Sequence, residues 1–307
     1  MTNKPQTLLA PTVAALFFCA FAVRAEAGSD ALQRASARAQ QISDTAKGFT
    51  VTPPAPQPPV CSSGQLQPVD LGGTEQLVYK VDVLGAELGT FELRLEPAKG
   101  EDKARGALVL ESRGKSSDLV TTNVKRVEGW TSTLLDKDGM PLRYREEIDE
   151  GDVHRAQDIE FPSKAGALTV RATKNGDPDP LSIAATPDAR DMLSGLFVLR
   201  RQPLTPGARL CAEIYAARRM WRVDGTVADK VEMVDSPLGK VQAIRLDAVA
   251  TRLDDARVVR KAHVWVTTDE RRLPVVILGE IRGRYIRAQL AEARVGRARL
   301  KRAAAAN

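Results

Sequence analysis

Two histidines are the first candidates for chemistry in this 307-residue chain, because imidazole serves both acid–base catalysis and metal binding. His154 and His263 are far apart in the sequence, and neither belongs to an H-E-x-x-H helix or to another clustered ligand set. A Ser-His-acid triad assembles in space, but the chain has no G-x-S-x-G elbow to present a nucleophile. We therefore predict structural roles for both histidines and no catalytic residue.

Two further sequence patterns suggest a catalytic or a metal site, but neither has the local structure that such a site requires. Residues 112–115 match the S-x-x-K pattern of penicillin-recognising enzymes, which needs a helix, whereas here it follows a strand-like run and has no K-T-G partner. The acidic stretch 146–152 offers oxygen ligands for calcium. A calcium loop that starts at Asp136, however, has Pro141 where it needs glycine. We predict a solvated hairpin tip there, with no metal site and no cofactor.

Residues 1–27 are typical of an export leader. An apolar run over 8–23 precedes a small-x-small cleavage site at 25–27. The run is interrupted by Pro11 and ends at Arg24, which favours cleavage near Ala27 over a retained membrane anchor. We therefore expect a periplasmic or outer-membrane-associated protein.

Cleavage changes the number of cysteines. It removes Cys19 and leaves Cys61 and Cys211, which we expect to form one disulfide in an oxidising compartment. Closing a loop of about 150 residues contributes at most about 5 kcal/mol to stability. The alternative, two separate buried thiols, stays open because a sequence does not give the distance between two Cα atoms.

The formal net charge of +6 is unevenly distributed. From Arg257 to the end, 13 Lys and Arg residues oppose four acidic residues, so this C-terminal segment is basic and the rest of the chain is acidic. One interpretation is contact with lipid or another anionic envelope surface. The other is that arginine covers solvated strand faces.

Nucleic acid is excluded as a partner by the expected compartment and the few aromatic residues. The sequence does not indicate an oligomeric state.

The chain divides into four parts. After the leader, residues 28–60 combine a short alanine-rich helix with a proline-rich linker. Residues 61–293 form the predicted β domain. The basic segment 294–307 is predicted to be a disordered tail.

Alternation with a period of two dominates the β domain. Leu77, Tyr79 and Val81 alternate with more polar residues, and similar short runs recur between close turns. This pattern predicts an all-β, mainly antiparallel fold, with a curved sheet that forms a half-barrel or flattened barrel. The exception is an apolar helix near 187–200, which Thr186 caps and which we expect to pack on the concave side.

Several segments together resemble an exported bacterial family known as domain of unknown function 3108. The opening hairpin, the central helix and the closing strands carry this resemblance, at residues 77–90, 191–200, 237–239, 264–275 and 283–290. The resemblance implies a periplasmic or outer-membrane-associated β protein, and the family has no assigned reaction that could be transferred.

We therefore expect a non-catalytic exported envelope protein, which either binds or carries a lipid-like or hydrophobic ligand or serves as a scaffold. Leu196, Phe197 and Trp265 are the predicted lining of the ligand site, with a filled core as the alternative. The rival function is a hydrolase acting on an envelope polymer, with a site that the sequence does not reveal.

Overall fold

Strands dominate the part of the chain that the computed structural model describes, residues 74–162, 166–281, 284–296 and 298–299. The strands are β1 (Glu75–Val83), β2 (Ala86–Pro97), β3 (Leu108–Ser116), β4 (Val127–Leu135), β5 (Pro141–Glu150), β6 (Val153–Glu160), β7 (Gly166–Lys174), β8 (Asp177–Pro178), β9 (Leu181–Ala185), β10 (Arg190–Asp191), β11 (Arg209–Ala216), β12 (Arg219–Ser236), β13 (Gly239–Arg252), β14 (Asp255–Thr267), β15 (Pro274–Ile281), β16 (Arg284–Val295) and β17 (Ala298–Arg299). The helices are α1 (Asp102–Arg105), α2 (Asp118–Asn123) and α3 (Met192–Arg201).

The strands form one open, curved and almost wholly antiparallel sheet, which confirms the predicted fold class. From β1 to β7, and again from β11 to β16, each strand pairs with the next along the chain. β1 also pairs with β16, with Leu77 opposite Ala293, and this joins the two runs. β9 pairs with β7 at one end of the sheet, and β10 pairs in parallel with β11 at the other. No ladder joins these ends among the described residues, so the sheet does not close into a barrel.

The core fills the inner face of the sheet. Leu77, Tyr79 and Val81 of β1 are almost fully buried, whereas Lys80 between them is exposed, as the alternation predicts. The two halves of the sheet also pack on each other, because Ile159 of β6 belongs to the same apolar cluster as Tyr215 of β11.

α3 packs on this inner face, but it begins later than predicted. Asp191, not Thr186, is its N-cap, because its Oδ1 accepts hydrogen bonds from the backbone N–H groups of Leu193 and Ser194. The Thr186 hydroxyl instead donates to Glu213 Oε2 at 2.7 Å. The residues before Asp191 therefore lead into the helix without belonging to it.

The sheet also extends further than predicted at its end. β16 runs to Val295 and β17 spans Ala298–Arg299, so these residues pair as strands instead of belonging to a disordered tail from 294 onward. The leader, the proline-rich linker and Cys61 lie outside the described residues. In the described part, no helix is long and apolar enough to cross a membrane.

Candidate functional site

The predicted ligand lining divides between two faces of the sheet. Leu196 and Phe197 line a cavity of only about 30 Å³ between α3 and the sheet, together with Leu93 and Leu110. A space of this size suits about one water molecule. Phe197 is 5% exposed and packs in an apolar cluster, so this region of the described structure is a filled core.

Trp265 does not reach that cavity. Its neighbours Val264 and Val266 in β14 are buried in the core, and adjacent residues of a strand point to opposite faces. Trp265 therefore lies on the outer face, where its Nε1 donates to Glu232 Oε2 at 2.8 Å. The expectation that Trp265 shares a lining with Leu196 is wrong.

Trp265 belongs to a polar cluster on the outer face of β12–β14. His263 Nδ1 contacts Asp247 Oδ1, and Arg245 donates to both oxygens of the same carboxylate, at 2.9 and 3.2 Å. Burial opposes the ionisation of Asp247, but hydrogen bonds from His263 and Arg245 outweigh it and lower its pKa. The Arg245 guanidinium also lies 5.9 Å from the centre of the Trp265 indole.

Neither histidine has the partners of a catalytic triad. His154 Nδ1 lies 2.8 Å from Asp149 Oδ1 at an exposed hairpin, while His263 contacts Asp247. Among the hydrogen bonds of the described residues, neither ring contacts a Ser, Thr or Cys side chain. No group of three His, Cys, Asp or Glu side chains in this part of the chain could hold a metal ion.

The serine and the lysine of the S-x-x-K match point to opposite faces of β3. Ser112 is 1% exposed and shares a hydrogen bond of 2.7 Å with the Thr131 hydroxyl, whereas Lys115 is exposed on the other face. Two side chains on opposite faces of a strand cannot act together as nucleophile and base.

The acidic hairpin of β5 and β6 contains buried carboxylates that sequence reasoning missed. Glu146 is 3% exposed, and it accepts hydrogen bonds from the Tyr144 hydroxyl, at 2.5 Å, and from the Gln157 amide. Tyr215 Oη in turn donates to Gln157 Oε1 at 2.5 Å. Burial raises the pKa of Glu146, and the hydrogen bonds from Tyr144 and Gln157 partly offset this.

Glu146→Gln should therefore change how stability depends on pH. A carboxyl whose folded-state pKa is raised stabilises the fold fully below its unfolded pKa, and this stabilisation is lost as pH rises through the folded pKa. Each unit of the shift corresponds to about 1.4 kcal/mol. In urea unfolding between about pH 4 and 8, the variant should gain stability relative to the native chain as pH rises. The adjacent outward-facing Glu147→Gln is the control, and a pH-independent difference for Glu146→Gln would contradict this assignment.

A larger cavity than the one beside α3 lies on the outer face of β5–β7. This outer groove has a volume of about 490 Å³, and its outward-facing lining is Arg145, Glu147, Ala156, Asp158, Arg171 and Thr173, with Pro178 and Pro180 at the rim. Arg145 lies opposite Asp158 in the ladder, and Glu147 lies opposite Ala156. Strand alternation places these residues on one face, but only the pairing of three strands brings them together. Sequence reasoning therefore did not find the outer groove.

Several arginines of the basic C-terminal segment have acidic partners. Arg287 Nε of β16 lies 2.9 Å from Asp82 of β1, and Arg257 Nε lies 2.9 Å from Asp255 Oδ1 within β14. These pairs fit the interpretation that arginine covers solvated strand faces. Contact of this region with lipid or an anionic surface stays a prediction.

Cys211 lies in β11, opposite Asp224 of β12. Since Cys61 is outside the described residues, the pairing of the two cysteines also stays a prediction.

Comparison with known proteins gives a fold and a family. Among solved structures, the chain is similar to a β-barrel-like protein of domain of unknown function DUF1849 from Brucella abortus. The TM-score is 0.52, with 11% identity over 76% of this chain and all of that one. A Bacteroides fragilis protein that is described as exported, with a YmcC-like fold, gives a TM-score of 0.32 and 9% identity over 75% of this chain and 98% of that one. No curated protein matches. The family model "Protein of unknown function (DUF3108)" matches residues 78–282, and it confirms the resemblance that the opening hairpin, the central helix and the closing strands carry. The chain belongs to the DUF3108 family.

Proposed function

We propose that the chain is a non-catalytic exported protein of the cell envelope that binds its ligand on the outer face of the sheet. The observation that carries this proposal is the contrast between the outer groove, about 490 Å³, and the inner cavity, about 30 Å³. Sites for small molecules usually enclose about 300–1,000 Å³, so of these two cavities the outer groove has the suitable size. Binding at the surface is therefore favoured over carriage of a lipid within the sheet.

The absence of a nucleophile beside either histidine, within the described residues, supports a binding function over hydrolysis. A hydrolase acting on an envelope polymer would need Ser, Thr or Cys within hydrogen-bond reach of a base in a cleft. His154 and His263 each contact a carboxylate instead, and neither lines the outer groove. No specific observation favours the hydrolase.

Export and the disulfide belong to the same proposal, and one intact-mass measurement on protein isolated from the envelope tests both. We expect a chain that starts near Gly28 and is two hydrogen atoms lighter than its reduced form, because Cys61 and Cys211 are joined. A mass that includes residues 1–27, or one that reduction leaves unchanged, would contradict the respective prediction.

Native mass spectrometry tests the location of binding. After gentle extraction, we expect no lipid bound in a one-to-one ratio, because the cavity between α3 and the sheet is too small for an acyl chain. A stoichiometric lipid that survives delipidation of the surrounding membrane would overturn the proposal in favour of an internal carrier.

A further inference from the structure

Ion pairs along single strands are a recurrent feature of this sheet. An arginine and a carboxylate two residues apart point to the same face of a strand. Such pairs form between Arg222 and Asp224 of β12, with Nε–Oδ2 at 2.9 Å, and between Arg245 and Asp247 of β13, with Nε–Oδ1 at 2.9 Å. The usual outcome of this spacing here is therefore mutual neutralisation.

Arg145 and Glu147 have the same spacing in β5 but do not form a pair. Within the described part of the chain, no opposite charge lies within 4.0 Å of either side chain. Asp158, which faces Arg145 across the ladder, is held by Arg143 instead, whose Nε lies 2.8 Å from Oδ1. Arg171, on the next strand, lies 3.4 Å from Glu160. A cation and a carboxylate thus remain available, side by side, in the outer groove.

We propose that the outer groove binds a short zwitterionic peptide, with Arg145 binding its carboxylate and Glu147 its ammonium group. This inference rests on the proposed function, since it assigns a ligand class to the same groove. A guanidinium is suited to a carboxylate because it donates two parallel hydrogen bonds. A ligand that carries both charges satisfies both side chains, which an anion or a cation alone does not.

The spacing of Arg145 and Glu147 along β5 fits a peptide of two or three residues. Residues two apart on a strand have Cα atoms about 7 Å apart. An extended peptide spans at most about 3.6 Å per residue, so two or three residues cover about 7–11 Å. The small side chains of Ala156 and Thr173 leave room above the sheet, and Pro178 adds an apolar rim, which suits a peptide with small side chains.

β3 provides a matched control. Glu111 and Arg113 are two residues apart, point outward and also form no pair among the described residues, but they do not line the outer groove. Arg113→Gln and Glu111→Gln therefore remove the same charges from the same sheet without changing the proposed site.

Isothermal titration of the full chain with trialanine tests the inference. We expect Arg145→Gln and Glu147→Gln each to weaken binding at least about ten-fold, because each removes a charge-assisted contact. Arg113→Gln and Glu111→Gln should bind like the native chain. Acetylation and amidation of the peptide ends should also weaken binding at least about ten-fold. Thermal melting of each variant checks that the fold is intact.

Other results separate this inference from the proposed function. If trialanine does not bind the native chain, or if Arg145→Gln binds it as well as Arg113→Gln does, the peptide assignment is overturned. If inorganic phosphate or glucose then binds and Arg145→Gln abolishes this, the outer groove is still a binding site for another ligand class. If none of the three probes binds and native mass spectrometry finds a lipid, the proposed function fails as well.

Discussion

Replacing Arg200 with alanine is expected to lower the free energy of unfolding by about 3–5 kcal/mol, measured by urea denaturation at neutral pH. Arg200 lies in the last turn of α3 and forms a buried, bidentate pair with Glu75 of β1, at 2.6 and 2.9 Å, with both side chains less than 10% exposed. It also donates to the backbone oxygens of Arg271 and Arg272, just before β15. The substitution leaves a buried carboxylate without its cation, which is among the costliest changes to a core.

A double variant shows whether the lost free energy of unfolding comes from the unpaired charge of Glu75 or from other effects of the substitution. Glu75→Leu with Arg200→Met replaces the pair by apolar groups, and such replacements are often close to neutral. We expect the double variant to recover most of the stability that Arg200→Ala loses. A loss below about 1 kcal/mol for Arg200→Ala would show that this pair does not hold α3 to the sheet.

Phe197→Ala is expected to cost about 3–5 kcal/mol in the same measurement. Phe197 is buried in α3 against Leu95, Leu110 and Leu135 of the sheet. The cavity beside it is about 30 Å³, so the packing around the ring is already dense. Removing the ring opens a new cavity that a continuous sheet cannot easily close.

The neighbouring Leu196 provides the comparison. It is half-buried in the same helix, so Leu196→Ala should cost clearly less than Phe197→Ala. If Phe197→Ala costs less than about 1 kcal/mol, the inner face is not a filled core. That result would restore the hypothesis that Phe197 lines a ligand site.

The sheet and its helix could be predicted because their patterns are local. Alternation in β1 and the apolar face of α3 are both visible in short stretches of sequence. The start of α3 was misplaced because Thr186 and Asp191 are both good N-caps. Only the surrounding structure decides between them, since it brings the Thr133 hydroxyl within 2.8 Å of the Asp191 carboxylate.

The candidate site could not be predicted, because it depends on which strands pair and which face is buried. Residues 262–266 carry apolar side chains on both faces, so their pattern does not show that Trp265 points outward. The outer groove requires the register of Arg145 with Asp158 and of Asp158 with Arg171, which three strands set together. Register is set by non-local contacts.

Hydrogen exchange measured by mass spectrometry shows whether the ligand binds on the outer face of the sheet. The full chain is compared with and without the small-molecule fraction of the envelope from which it is isolated, and Arg145→Gln/Glu147→Gln serves as the control. A ligand in the outer groove should slow exchange in peptides from β5–β8 of the native chain, and it should not slow exchange in the control. Slower exchange confined to α3 and the strands beneath it, with the same response in the control, would show that the ligand binds at the inner face instead.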